Sequence, residues 1–130
     1  MKYILMMNTM KAGTGIPGWP QNDLQAHIAF MFRLNKELRE SGELMFAEGL
    51  SFPEQAKLVR AGKDGTPITD GVFPESKEFL AGYWIVDVDN PERAYAIAAR
   101  ISAAPGPGGV PLNMPIEVRS IMSGPPPDTL

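Results

Sequence analysis

The order of apolar runs in this sequence predicts an α+β fold, in which two helices cover one face of a mainly antiparallel sheet. Three observations carry that expectation. Strand-length apolar runs recur at 2–8, 44–50, 81–88 and 116–122. Two segments with helical spacing separate them, one after the first run and one before the last. Between the second and third main runs, Gly62-Lys63-Asp64-Gly65 carries the Asp-Gly signal of a hairpin. Strand, helix, strand, hairpin, strand, helix, strand is an α+β order with the helices gathered on one side.

Each element has its own warrant. Residues 2–8 (KYILMMN) form a compact apolar run of strand length. The segment 9–21 holds three glycines and two prolines but also Met10, Ile16 and Trp19, a composition that favours a lid or a partner contact over plain disorder. Asn22 is suited to cap a helix reaching about Ser41, with Asp23 in its first turn. Leu24, His27, Ile28, Met31, Leu34 and Leu38 make its apolar stripe. Gly42 stands where a C-terminal cap belongs. Residues 44–50 and 57–61 read as the next strands, and 67–69 as a short return strand after the hairpin turn. The run 81–88 (AGYWIVDV) is the strongest strand signal. Asn90 then caps a second helix with Pro91 at its first position, ending near Ser102, with Ala94, Ile97, Ala98 and Ile101 facing the core. A Gly/Pro-rich connection, 103–115, leads to the last strand.

Composition narrows the function classes. The 130 residues suit one domain, taken as 1–122, with the Pro-rich 123–130 as a flexible tail. An apolar share of 44%, a charged share of 21% and a net charge of −3 describe an ordinary globular chain with no footprint for nucleic acid or an anionic membrane. No cysteine is present, so disulfides, thiol catalysis and thiolate metal sites are excluded. No signal-peptide layout or membrane-length apolar run is seen, and the expected location is cytoplasmic. No cofactor is expected: the Gly-Pro-Gly-Gly run at 106–109 lacks the Lys-Ser/Thr ending of a phosphate loop. A single histidine without cysteine does not suggest a metal centre.

Alternation along the strands makes a further prediction. Tyr3, Leu5 and Met7 oppose Ile4 and Met6, and Trp84, Val86 and Val88 oppose Tyr83 and Ile85, so both faces of the central strands are apolar. Two helices cover one face. The other calls for a second subunit or a ligand, which predicts a homodimer with facing sheets and an enclosed cavity.

The densest group of reactive side chains is 69–78, TDGVFPESKE. Its spacing, as Asp70, Gly71, Phe73, Glu75, Lys77 and Glu78, resembles the YCII-related domain family, in particular its DGPF branch. Glu48-Gly49-Leu50, Gly82-Tyr83, Val86-Asp87-Val88-Asp89, Glu117-Val118-Arg119 and a histidine in the first helix, His27, extend the resemblance over about residues 2–122. Val72 stands where the branch has its eponymous proline, which loosens the loop rather than removing a reactive group. The resemblance implies a ferredoxin-like fold of the dimeric α/β-barrel type. It also implies either an enzymatic role, with a His and an Asp lining a pocket, or an association with transcription initiation.

Two readings stand for each candidate residue. His27 lies on the apolar stripe, either as a buried histidine satisfied by one hydrogen bond or as a general acid or base. Asp70 either orients His27 or shapes a turn with Gly71, the glycine taking a positive φ. Lys77 is the candidate for holding an anionic group, with Glu48, Gly71, Phe73 and Glu78 as further substrate-binding candidates; solvated surface charge is the plainer alternative. The expected function is thus a small homodimeric enzyme in which His27 and Asp70 act as an acid–base pair on a small polar or anionic metabolite. The alternative is a non-catalytic ligand-sensing or interaction module.

Overall fold

A computed structural model describes residues 1–10, 18–71 and 78–122. The elements are β1 (Lys2–Met10), α1 (Gln21–Glu40), β2 (Leu44–Gly49), β3 (Lys57–Ala61), β4 (Pro67–Gly71), β5 (Glu78–Asp87), α2 (Pro91–Ser102) and β6 (Ile116–Ser120). Four strands form one antiparallel sheet in the order β2-β5-β1-β6, and β3 pairs with β4 alone. This is the α+β arrangement expected, consistent with a ferredoxin-like fold.

The helices are placed by their ends and their apolar stripes. Asn90 accepts a hydrogen bond from the Arg93 amide at 2.8 Å, and Pro91 opens α2. The side chains that α2 buries are the four expected, Ala94, Ile97, Ala98 and Ile101. Helix α1 starts two residues earlier than a cap at Asn22 would place it. Pro20 (φ −57°) precedes it, its carbonyl accepting from the Leu24 amide at 3.1 Å, so Asn22 falls inside the first turn and makes no cap. At the other end the Gly42 amide reaches the Arg39 carbonyl and the Glu43 amide reaches that of Leu38, the paired bonds of a Schellman close. The buried face of α1 comprises His27, Leu34 and Leu38, with Met31 packed beside them. Ile28, assigned to the stripe from sequence, is exposed instead. One residue on from His27 is a turn of about 100°, which places Ile28 beside Phe32 on the outer surface.

Both helices lie on one side of the sheet, and the core between them is built from Tyr3, Leu5, Trp84, Val86 and Val88 against Leu34, Leu38, Ile97 and Ile101. Strand boundaries run past the apolar runs. β1 continues through Thr9 and Met10 because β5 begins at Glu78 and supplies partners, Thr9 to Phe79 and Met10 to Glu78, after a register shift at Met7/Asn8. Across the opposite face the register aligns Arg119, Ile4, Ile85 and Phe46 in one row and Glu117, Met6, Tyr83 and Glu48 in the next. Among the described residues no helix covers that face, and Phe46 remains 59% exposed.

The β3–β4 hairpin turns as its Asp-Gly pair demands. The Gly65 amide donates to the Gly62 carbonyl, Asp64 accepts from the Thr66 amide at 3.0 Å, and Gly65 takes φ +84°, a conformation that favours glycine. Every residue of both strands is exposed. A two-stranded ribbon on its own is of marginal stability in water. Among the described residues no helix is long and apolar enough to cross a membrane. The tail 123–130 lies outside the described residues.

Candidate functional site

His27 is 6% exposed, the one buried polar side chain among the described core residues. Its helix carries it over the sheet beside Met7 and Trp84, on the wall of a recess of about 190 Å³ that Met31, Asn35, Ala47 and Gly82 also line. Two contacts fix the imidazole. Its Nδ1 lies 3.0 Å from the carbonyl oxygen of Pro105, and the ring of Trp19 meets it edge-on, with centroids 5.2 Å apart and planes at 87°. A carbonyl oxygen can only accept, so Nδ1 carries the hydrogen. In the neutral ring Nε2 is then the basic nitrogen, and it has no protein partner among the described residues.

The Pro105 carbonyl is itself held by a tight segment. Pro105 bridges Pro111, the Gly106 amide donates to the Val110 carbonyl at 2.7 Å, and the Leu112 amide donates to the Ala104 carbonyl at 2.9 Å. Gly106 is buried so closely against Leu112 that a β-carbon there would come within 2.7 Å of Leu112 Cδ2. The Gly/Pro-rich stretch, legible from sequence only as a connection, is what orients the histidine.

Asn35 stands eight residues beyond His27, two steps of four along one helical row through Met31. Its Oδ1 accepts from the Trp84 indole Nε1–H at 2.9 Å. Sequence reading missed Asn35, although a polar side chain interrupting an otherwise apolar stripe was the signal for it. Pro105 left no signal of its kind, since a backbone carbonyl has no residue identity.

The other candidates are distributed more widely. Glu48 borders the same recess, but it is exposed and in register with Tyr83, on the face turned away from the helices. Asp70 is opposite Leu58 on β4, with its side chain 64% exposed and 3.6 Å from Arg60. No described hydrogen bond or ion pair joins Asp70 to His27 within the chain, and the tautomer of His27 is set by Pro105. Gly71 ends β4 opposite Lys57 without a positive φ, so Asp70 and Gly71 are strand residues rather than a turn. Glu78 opens β5, its backbone paired with Met10; its side chain lies outside the described residues, as do Phe73 and Lys77.

Electrostatics are concentrated elsewhere. Arg93 grips Glu43 with two bonds of 2.7 and 2.8 Å, tying the start of β2 to α2. That hydrogen bonding lowers the Glu43 carboxyl below its ordinary range and raises the guanidinium. A recess of about 390 Å³ surrounds the pair, with Ser41, Asp87 and Asn90 in its walls, but its strongest groups already satisfy each other. Among the described residues no three histidine, aspartate or glutamate side chains are grouped as a metal ion would need.

No curated protein matches the chain. The family model for the YCII-related domain matches residues 1–110, which takes in both helices, the hairpin, three of the four main strands, and the residues that line the recess and touch His27. The chain belongs to the YCII-related domain family.

Proposed function

We propose that the protein is a small homodimeric enzyme that moves a proton on a small polar metabolite, with His27 as the acid–base group. The observation that carries this is the fixed imidazole. A nearly buried ring on a recess wall, with Nδ1 committed to the Pro105 carbonyl, presents Nε2 as a base of defined tautomer. We further propose that the chain belongs to the DGPF branch, a reading supported by the spacing of Asp70, Gly71 and Phe73. Asp70 is the proposed charge partner of the imidazole, and Glu48, Gly71, Phe73, Lys77 and Glu78 are the proposed contacts to a polar or anionic substrate. Because Asp70 rides on a hairpin strand whose residues are all exposed among the described residues, the pair requires that the hairpin be seated by dimerisation or substrate. We place the protein in the cytoplasm, in keeping with its lack of cysteine.

The dimer is supported by the uncovered face. Ile4, Met6, Tyr83, Ile85 and Phe46 form an apolar band there, and Leu58, Val59 and Ile68 of the hairpin are exposed as well. A second copy, offering the same rows, is the occupant that would cover both. Sedimentation at micromolar concentration should give twice the chain mass; a monomer would remove this part of the proposal.

One observation favours a second reading, a non-catalytic ligand-sensing or interaction module linked to transcription regulation. The described partner of His27 is a neutral carbonyl, which fixes a tautomer but stabilises an imidazolium less than a carboxylate would. Substrate screening with His27→Ala and Asp70→Ala separates the two. Turnover abolished with ligand affinity intact supports the enzyme. A screen without turnover, in which the same variants only weaken binding, supports the module.

A further inference from the structure

The geometry points to Asn35 as a ligand-binding residue: we propose that its carboxamide NH₂ donates to a neutral carbonyl oxygen at one end of a slender ligand whose other end reaches His27. This rests on the recess being the functional site, as proposed above. An indole nitrogen can only donate, so the atom of Asn35 facing Trp84 at 2.9 Å is its oxygen. The amide is thereby locked, and both N–H donors point away from Trp84 with no partner among the described residues.

The shape of the site restricts what the donors hold. His27 and Asn35 are eight residues apart on α1, about 12 Å along its axis at 1.5 Å per residue. A volume of about 190 Å³ spread over that length leaves room for a single chain or a ring edge-on. Met7, Met31 and Trp84 line the middle and suit an apolar body. Among the described residues no lysine or arginine lines the recess, while Glu48 borders it, so a neutral carbonyl is favoured over a carboxylate.

Hexanamide tests this, with hexanoate as the charged analogue and hexylammonium as a donor-only control of the same shape. In the folded protein, hexanamide should shift the Asn35 side-chain amide signals and hexylammonium should leave them in place. Asn35→Asp keeps an oxygen for Trp84 but loses both donors. It should bind hexanamide about tenfold more weakly while the Trp84 indole N–H signal stays where it was. The wild-type titration stands by itself if the variant does not fold. Equal affinity in Asn35→Asp, or tighter binding of hexanoate, overturns the proposal. Shifts at His27 without shifts at Asn35 remove Asn35 and leave the His27 site intact; no shift at either removes both.

Discussion

Replacing Gly106 with alanine should loosen the imidazole of His27 without touching it. The added β-carbon would stand 2.7 Å from Leu112 Cδ2, 3.1 Å from Leu112 Cγ and 3.3 Å from the Val110 carbonyl oxygen. Carbon atoms pack at about 3.5–4.0 Å, so something must yield by about 1 Å. Leu112 is fixed at its amide by the Ala104 carbonyl, and Gly106 by the Val110 carbonyl, which leaves rotation of the Leu112 side chain or displacement of the segment. Overpacking of this kind costs about 1–3 kcal/mol, a fall in melting temperature on the order of 5–10 °C for a chain of this size. The Pro105 carbonyl is bonded directly to the Gly106 nitrogen, so movement of the segment lengthens the 3.0 Å contact to His27 Nδ1, which at about 3.5 Å ceases to be a hydrogen bond. The ring nitrogens of the chain's single histidine report this by NMR: the wild type should show one neutral tautomer, with Nδ1 protonated, and the variant a mixture. A wild-type melting temperature would refute the packing argument. A lowered melting temperature with an unchanged His27 tautomer would refute the claim that this segment orients the imidazole.

Three further outcomes are expected. Glu43→Gln should cost about 1–2 kcal/mol at neutral pH, discounted because Arg93 is 41% exposed. Since the folded carboxyl titrates below its unfolded value, the cost should be complete above about pH 5 and fade as pH falls through the folded value; urea midpoints across pH 3–7 would show it. Leu34→Ala opens a cavity where α1 meets the core and should cost about 2–5 kcal/mol in urea denaturation, with loss below 1 kcal/mol placing Leu34 outside the core. Asp70→Asn breaks an ion pair between two exposed side chains, so its unfolding free energy should stay within about 0.5 kcal/mol of wild type, and any loss of activity would then be chemical.

Much of the fold was legible because its local signals agreed with one another. Asn90-Pro91 began α2, the Asp64-Gly65 pair turned the hairpin, Gly42 ended α1, and the four apolar positions of α2 were the four it buries. The departures occur where a neighbour outvoted the local signal. Pro20 moved the start of α1 away from Asn22, and pairing with Leu58 and Lys57 drew Asp70 and Gly71 into a strand where their residue types alone suggest a turn. The candidate site was half legible. Asn35 was missed although it interrupts the apolar stripe of α1, whereas the lone histidine on that stripe is visible in sequence. Its contacts are not, because Pro105 acts through a backbone atom that every residue shares and lies 78 positions away.

The sequence by itself determined which segments are helices and strands, that two helices face one side of a sheet, and that the single histidine lies on the apolar stripe of the first helix. These follow from spacing, capping and composition, which act over a few residues. Only the tertiary structure decided what surrounds that histidine. It tied Nδ1 to Pro105, set Trp19 against the ring, turned Asn35 by its bond to Trp84, and left Asp70 paired with Arg60 on an exposed hairpin. Contacts between distant parts of the chain depend on strand register and on the path of a loop, and no local pattern encodes either.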